Sequence, residues 1–276
     1  FMWKPELLSP AGSLDKLKVA VSYGANAVYL SGQKFGLRTA AQNFTLEELR
    51  EGVSFAHQKG VRVFVAINAC LHDTDMEGVP EFIDQISELH VDAIIAPDLG
   101  VIQSVRRNSK IPVHLSTQAS CLNRYSARIW KNHGVSRLIL GREVSIADAG
   151  KIKKETGLEV ELFIHGSMCM SYSGHCTISN YTQGRDSNRG GCAQSCRFKY
   201  TTDTLLDLRL RDKDSVDSSK SIRISNTAFM SSKDLNGLDL LPLFFEHQID
   251  SIKIEGRMRS PLYAGMISRV YREAID

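Results

Sequence analysis

One unit recurs along this sequence: a short run rich in β-branched residues, a polar turn, then a stretch with helical periodicity. The strand-like runs fall at residues 6–8, 27–30, 62–67, 93–95, 113–115, 137–140, 159–164 and 251–255. Most are nearly continuous in apolar character, the pattern of strands buried on both faces of a parallel sheet. Gly24, Gly60, Gly134 and Gly157 stand shortly before four of them, where a helix can end on a left-handed residue. Thr45 with Glu48 fits a capping box, and Ser13 and Ser145 are N-cap candidates. Leu46, Leu49, Val53 and Ala56 carry the spacing of one buried helix face. Eight such units in 276 residues predict an α/β TIM (β/α)8 barrel, a single domain over residues 1–276. No G-x-G-x-x-G follows the first run, which weighs against a dinucleotide-binding open sheet.

A chain of this size buries a large core without metals or disulfides, so a metal site here is expected to serve chemistry. No run reaches the roughly 18 apolar residues of a membrane span, and the N-terminus lacks a signal peptide's apolar core. Six cysteines without an export signal point to a reducing compartment and a cytoplasmic location. The net charge of +3 says little about partners, and its local distribution says more.

The rhythm breaks once. A cysteine-containing insertion occupies residues 166–233, after the seventh strand, where about two to six residues are usual. It begins on the face where barrel enzymes build their active sites. It holds Cys169, Cys176, Cys192 and Cys196, spaced C-x6-C, fifteen residues, C-x3-C, with glycines at 166, 174, 184, 190 and 191. Four thiolates suit zinc or an iron–sulfur cluster. Zinc pairs are usually C-x2-C, and these wider spacings fit a bulkier cluster better. Zinc, unligated thiols or a local disulfide are the alternatives. Cys70 and Cys121 read as small buried hydrophobes. His165 and His175 flank Cys169 and Cys176, so a Cys–His nucleophile is a competing chemistry, one that only the fold can assemble. G-x-S-x-G, H-E-x-x-H and Walker signatures are absent.

Within the insertion Arg185, Arg189, Arg197 and Lys199 are interleaved with Tyr181, Phe198 and Tyr200. That composition pairs phosphate contacts with base stacking, or else forms a solvated charged loop. Residues 212–219 read as mobile. At the C-terminal strand ends, His114, Glu143, His165 and Glu255 are the candidate acid–base groups. Asn68, Ser116, Gln118, Arg142, Arg257 and Arg259 are the candidate substrate-binding groups. Gly141-Arg142-Glu143 and Glu255-Gly256-Arg257 each set an arginine beside a carboxylate, where it can clamp an anion or tie loops together.

The segment Glu161-x-Phe163-x-His165-Gly166-Ser167-Met168-Cys169-x4-Gly174-x-Cys176-x-Ile178-Ser179 resembles the hallmark of the collagenase-like peptidases of unassigned catalytic type. Further likeness lies in Leu8-Ser9-Pro10-Ala11-Gly12, His114-Leu115-Ser116-Thr117-Gln118, Ser231-Ser232-Lys233-Asp234-Leu235 and Ile254-Glu255-Gly256-Arg257. The family name implies a peptidase, metallo- or cysteine-dependent. Better-understood members imply an oxygen-independent hydroxylation protein with a 4Fe-4S cluster, and this sequence looks more like the branch that forms 5-hydroxyuridine at the tRNA wobble position using prephenate. The resemblance implies Cys169, Cys176 and Cys192 as ligands, with Cys196 the nearby candidate for the fourth. It also implies tRNA and a small carboxylate such as prephenate as partners.

Overall fold

In the computed structural model, residues 3–37, 42–202 and 224–276 are described. The expectation for 212–219 lies outside the described residues.

The strands in chain order are β1 (Glu6–Pro10), β2 (Ala27–Leu30), β3 (Arg62–Ala66), β4 (Ala93–Ala96), β5 (Val113–Leu115), β6 (Val135–Ile139) and β7 (Glu159–Gly166). They continue with β8 (Tyr200–Thr202), β9 (Ile224–Thr227), β10 (Leu235–Asn236) and β11 (Ser251–Ile254). The helices are α1 (Leu14–Ser22), α2 (Leu46–Gln58), α3 (Asp73–Met76), α4 (Val79–Glu88) and α5 (Leu99–Asn108). They are followed by α6 (Arg124–Asn132), α7 (Ile146–Thr156), α8 (Ile178–Gln183), α9 (Leu241–Glu246) and α10 (Pro261–Ile275). Strands β1 to β7 pair in parallel in sequence order, and β11 closes the ring between β7 and β1. The result is an eight-stranded parallel barrel in a coat of helices. No helix among the described residues is long and apolar enough to cross a membrane.

The local signals act as physics requires. Thr45 and Glu48 form the reciprocal capping box of α2, and Ser13 and Ser145 accept from Lys16 and Asp148 backbone N–H groups at the starts of α1 and α7. Gly24, Gly60, Gly134 and Gly157 all take positive φ, as helix ends require of them. On α2, Leu49, Val53 and Ala56 are buried, whereas Leu46 is exposed in the first turn, beyond the reach of the sheet.

Most of the apolar core lies between barrel and helices, with Leu7, Val28, Val65, Ile94, Leu138 and Ile252 facing outward onto them. The bore is filled differently. A small apolar layer of Leu8, Ala27, Tyr29, Phe64, Ala66, Ala93, Ile95 and Ile139 is backed by buried charge. Arg137 is 1% exposed, and its guanidinium donates to Glu6 at 2.5 Å, Glu161 at 3.1 Å and Glu159 at 2.8 Å. Glu6 also pairs with Arg62, and Glu161 with Lys253 Nζ at 2.9 Å. Three cations thus meet three carboxylates, which is what lets charge be buried here.

Removing one partner from such a set leaves its neighbours buried and uncompensated. Arg137→Ala is therefore expected to lower stability by about 3–5 kcal/mol. Urea unfolding followed by circular dichroism measures it, and a change under about 1 kcal/mol would show that the network is dispensable.

Candidate active site

A cleft of roughly 1070 Å³, counting its open mouth, runs from the bore out to the insertion. Its floor is Tyr29, Ala66, Ile95, Ile139, Phe163 and Lys253, and its wall at strand-end level carries Asn68, Ser116, Gln118, Arg142, Glu255 and Arg257. All four cysteines of the insertion line its upper part.

The insertion is stapled over the barrel mouth by four barrel loops. Arg189 donates to Asp75 at 2.7 Å and to the Cys70 carbonyl at 2.9 Å, beyond β3. The His175 ring lies 2.8 Å from the Gln118 carbonyl oxygen, beyond β5. Beyond β6, Glu143 accepts from the Ser173 backbone N–H at 2.6 Å and the Ser173 hydroxyl at 3.2 Å. Beyond β11, Arg259 donates to Ser167 Oγ at 2.9 Å and to Asp234 at 2.6 Å. Inside the insertion, Arg197 donates to carbonyls of Met168 at 3.2 Å and Ser232 at 2.9 Å, joining the Cys196 turn to the Cys169 turn. Asn188 holds Cys176 by its backbone N–H (3.1 Å) and carbonyl (3.0 Å). The chain enters through Gly166, where φ is +104° and a Cβ would lie 2.5 Å from the Glu255 carbonyl oxygen.

Cys169 is exposed, and Cys176, Cys192 and Cys196 are half-buried. Burial pushes the Cys196 thiol up; Arg197 opposes this, and the charges of Cys169, Cys192 and Cys176 add to it. Among the described residues no three His, Cys, Asp or Glu side chains are grouped so as to hold a single metal ion. A tetrahedral zinc needs all its sulfurs about 2.3 Å from one point. Ligands of a multi-iron cluster bind different irons, so such a cluster does not need its four thiols to converge on one point as zinc does.

The expected site residues divide by position. Asn68, Ser116, Gln118, Arg142, Glu255, Arg257 and the four cysteines line the cleft. Arg142 lies over the Phe163 ring, its guanidinium carbon 4.2 Å from the centroid, and its buried Nε has no hydrogen-bond partner among the described residues. Arg257 is buried, with its carbonyl held by Lys16 at 3.2 Å. Glu143 and Arg259 are not brought into the cleft and act as staples. His165 is turned away. Strict alternation along β7 would aim it inward with Glu161 and Phe163, but the register against β11 slips between Phe163 and His165. That bulge re-aims the ring to the outer side, 3.2 Å from the Tyr271 hydroxyl. His114 lies in the bore below the cleft, edge-on to Phe64 at 4.7 Å. Asp98 caps α5. Cys121 is buried as expected, whereas Cys70 is exposed on the loop after β3, where its backbone rather than its side chain meets the insertion.

The Cys–His dyad does not assemble. The His165 ring meets Tyr271, the His175 ring meets a carbonyl, and Cys169 Sγ lies 3.0 Å from Ser171 Oγ. Of the basic residues in the insertion, Arg189 and Arg197 are committed to internal bonds, while Arg185 and Lys199 are exposed. Exposed aromatics accompany them: Tyr181, Tyr172 and Phe198. Lys253 and Phe163 are floor residues that the strand-end reading passed over. Their signal was present, since alternation in β11 and β7 aims both inward.

Comparison with known proteins places this architecture. Residues 12–276 match the family model described as peptidase family U32. The chain belongs to that family. It is 43% identical over 275 residues to tRNA hydroxylation protein P1 of Bacillus subtilis (strain 168), covering 99% of this chain and 63% of that protein. It is 34% identical to the 23S rRNA 5-hydroxycytidine C2501 synthase of Escherichia coli (strain K12), covering 98% of this chain and 39% of that one. The chain thus spans less than two thirds of these relatives. Among solved structures, the U32 peptidase Mk0906 superposes with a TM-score of 0.58 at 10% identity, over 92% of this chain and 94% of that one, a likeness of fold.

Two outcomes follow from this geometry. A charged acceptor such as Glu143 is worth about 1.5–3 kcal/mol, so Glu143→Ala should speed hydrogen exchange at the Ser173 amide about ten- to a hundredfold. Unchanged exchange would mean that this staple carries no load. His114 is held well below its ordinary value of 6.5, first by burial and then by Arg137, Lys253 and Arg62. Unfolding restores the ordinary value, so below pH 6.5 the unfolded chain takes up a proton that the folded chain refuses. Stability should therefore fall as pH drops from 6.5, and His114→Gln should flatten that slope in urea titrations.

Proposed function

We propose that this chain forms the catalytic barrel of an iron–sulfur RNA-modifying enzyme that hydroxylates a pyrimidine base. The wobble uridine of tRNA, converted to 5-hydroxyuridine, is the preferred target, and the setting is cytoplasmic. The observation that carries this reading is that the four cysteines of the insertion line the same cleft as Lys253, Arg142 and Arg257. The names of the relatives, which act on tRNA and on 23S rRNA, support the substrate class.

Cys169, Cys176, Cys192 and Cys196 would hold a 4Fe-4S cluster. When bound, such a cluster supplies one-electron redox chemistry next to the substrate. The protein's own groups do the rest. Arg142 and Arg257 bind a small carboxylate such as prephenate, with Arg142 held against the Phe163 ring, which limits the freedom of its donors. Asn68, Ser116 and Gln118 offer neutral hydrogen-bonding groups to a base edge, and Glu255 a carboxylate for proton transfer. Around the mouth, Tyr172, Tyr181 and Phe198 supply stacking faces, with Arg185 and Lys199 as phosphate contacts. The peptidase reading has weaker support, because both nearby histidine rings are engaged away from the thiols.

The test uses the full-length protein in a strain deleted for it. Nucleoside analysis of its tRNA should show 5-hydroxyuridine restored by the unaltered protein and lost with Cys192→Ala. Hydroxylation that is undiminished in the deletion strain, or that survives Cys192→Ala, would overturn the assignment.

A further inference from the structure

Lys253 is the one amine on the floor of the cleft among the described residues. Its ammonium position is boxed in: Nζ lies 4.2 Å from the centroid of the Tyr29 ring, 5.6 Å from that of Phe163, and 2.9 Å from Glu161 Oε1. Lysine is rarely buried this completely unless it has a partner or a task. Glu161 supplies the partner but already shares Arg137, so holding Glu161 does not by itself call for an amine at the cleft surface. The Phe163 ring is also met by Arg142, whose buried Nε lacks an acceptor among the described residues. An amine and a guanidinium with one unpaired nitrogen therefore approach one aromatic ring at the bottom of a cleft.

We propose that Lys253 is a catalytic nucleophile that condenses with the carbonyl of a small 2-oxo acid, while Arg142 and Arg257 hold the adjacent carboxylate. The proposal rests on the reading of the cleft as a small-carboxylate site and adds a covalent step to it. Glu161 takes one proton from the ammonium, and the freed lone pair on Nζ adds to the carbonyl carbon. The carbonyl π pair moves to oxygen, which takes a second proton from Nζ to become a hydroxyl. That hydroxyl leaves as water with the proton returned by Glu161, and the nitrogen lone pair forms the C=N bond of an iminium ion. The balance is ketone plus ammonium giving iminium plus water, with no oxidant or reductant. Burial lowers the basicity of Lys253; Glu161 opposes this, and Arg257 and Arg137 reinforce it, so the ammonium gives up its proton more readily than an exposed lysine does. A 2-oxo acid suits the spacing of roles, because its electrophilic carbon is bonded directly to the carboxylate that the arginines hold.

Borohydride trapping tests this in the full-length protein. With pyruvate or phenylpyruvate as probe, intact mass should show one reduced adduct per chain, and peptide mapping should place it on Lys253. Acetate, which lacks the carbonyl, should give none, and Lys253→Arg, which keeps the cation, should lose the adduct entirely. An adduct on another lysine would overturn the proposal. So would no adduct at concentrations where calorimetry shows the oxo acid bound, although the carboxylate site would stand. No calorimetric binding of either acid would remove both. Because the map is made on unaltered protein, the result stands even if Lys253→Arg fails to fold.

Discussion

A line of paired charge threads the bore of this barrel, from Arg62 and Glu6 near the N-terminal ends of the strands, through Arg137 and Glu161, to Lys253 under the cleft. Most small barrels fill this space with branched apolar side chains. Here strands β1, β6, β7 and β11 each contribute an ionised group to the interior: Arg137 meets Glu161 and Glu161 meets Lys253 between adjacent strands, while Glu6 reaches Arg137 across the bore. A one-residue slip in any of them would turn a charge out and leave its partners buried alone. Buried pairs of this kind contribute little net stability compared with apolar packing. Their value lies in fixing a single register, and with it the height at which Lys253, Phe163 and Arg142 meet the cleft.

The repeat of short apolar runs and helical stretches was enough to read the barrel, because each strand is buried on both faces and each helix carries its own start and stop chemistry. Thr45, Ser13 and Ser145 are caps whose partners lie within three residues, so no tertiary information is needed to recognise them. Legibility failed where neighbours distant in sequence decide the outcome. His165 follows β7's alternation in sequence, yet a register slip against β11 turns it toward Tyr271. Glu143 and Arg259 stand at strand ends like binding groups, but Ser173 and Ser167 of the insertion, with Asp234 just after it, claim them. Lys253 is legible in principle as a charge inside an apolar strand, but it lies within β11 and not at the strand ends where barrel sites are expected.

The insertion and the barrel depend on each other. The barrel loops hold the insertion by charged and backbone contacts at four places around the mouth, and the insertion in return roofs a cationic cleft that the bare barrel would leave open. Enclosure strengthens every electrostatic contact inside, and the cleft sets cysteines along its upper part and Lys253, Arg142 and Arg257 along its floor and wall. That arrangement is the ground of the proposed iron–sulfur and small-carboxylate reading, whereas His165 and His175, the histidines nearest the thiols in sequence, are engaged elsewhere.

The most direct probe of this account is iron K-edge X-ray absorption on the anaerobically purified full-length protein. The account predicts sulfur-dominated first-shell scattering with a distinct iron–iron distance, and loss of that iron–iron signal in Cys196→Ala or Cys169→Ala. Protein that folds and binds RNA yet carries no iron, or a spectrum unchanged by both substitutions, would contradict it.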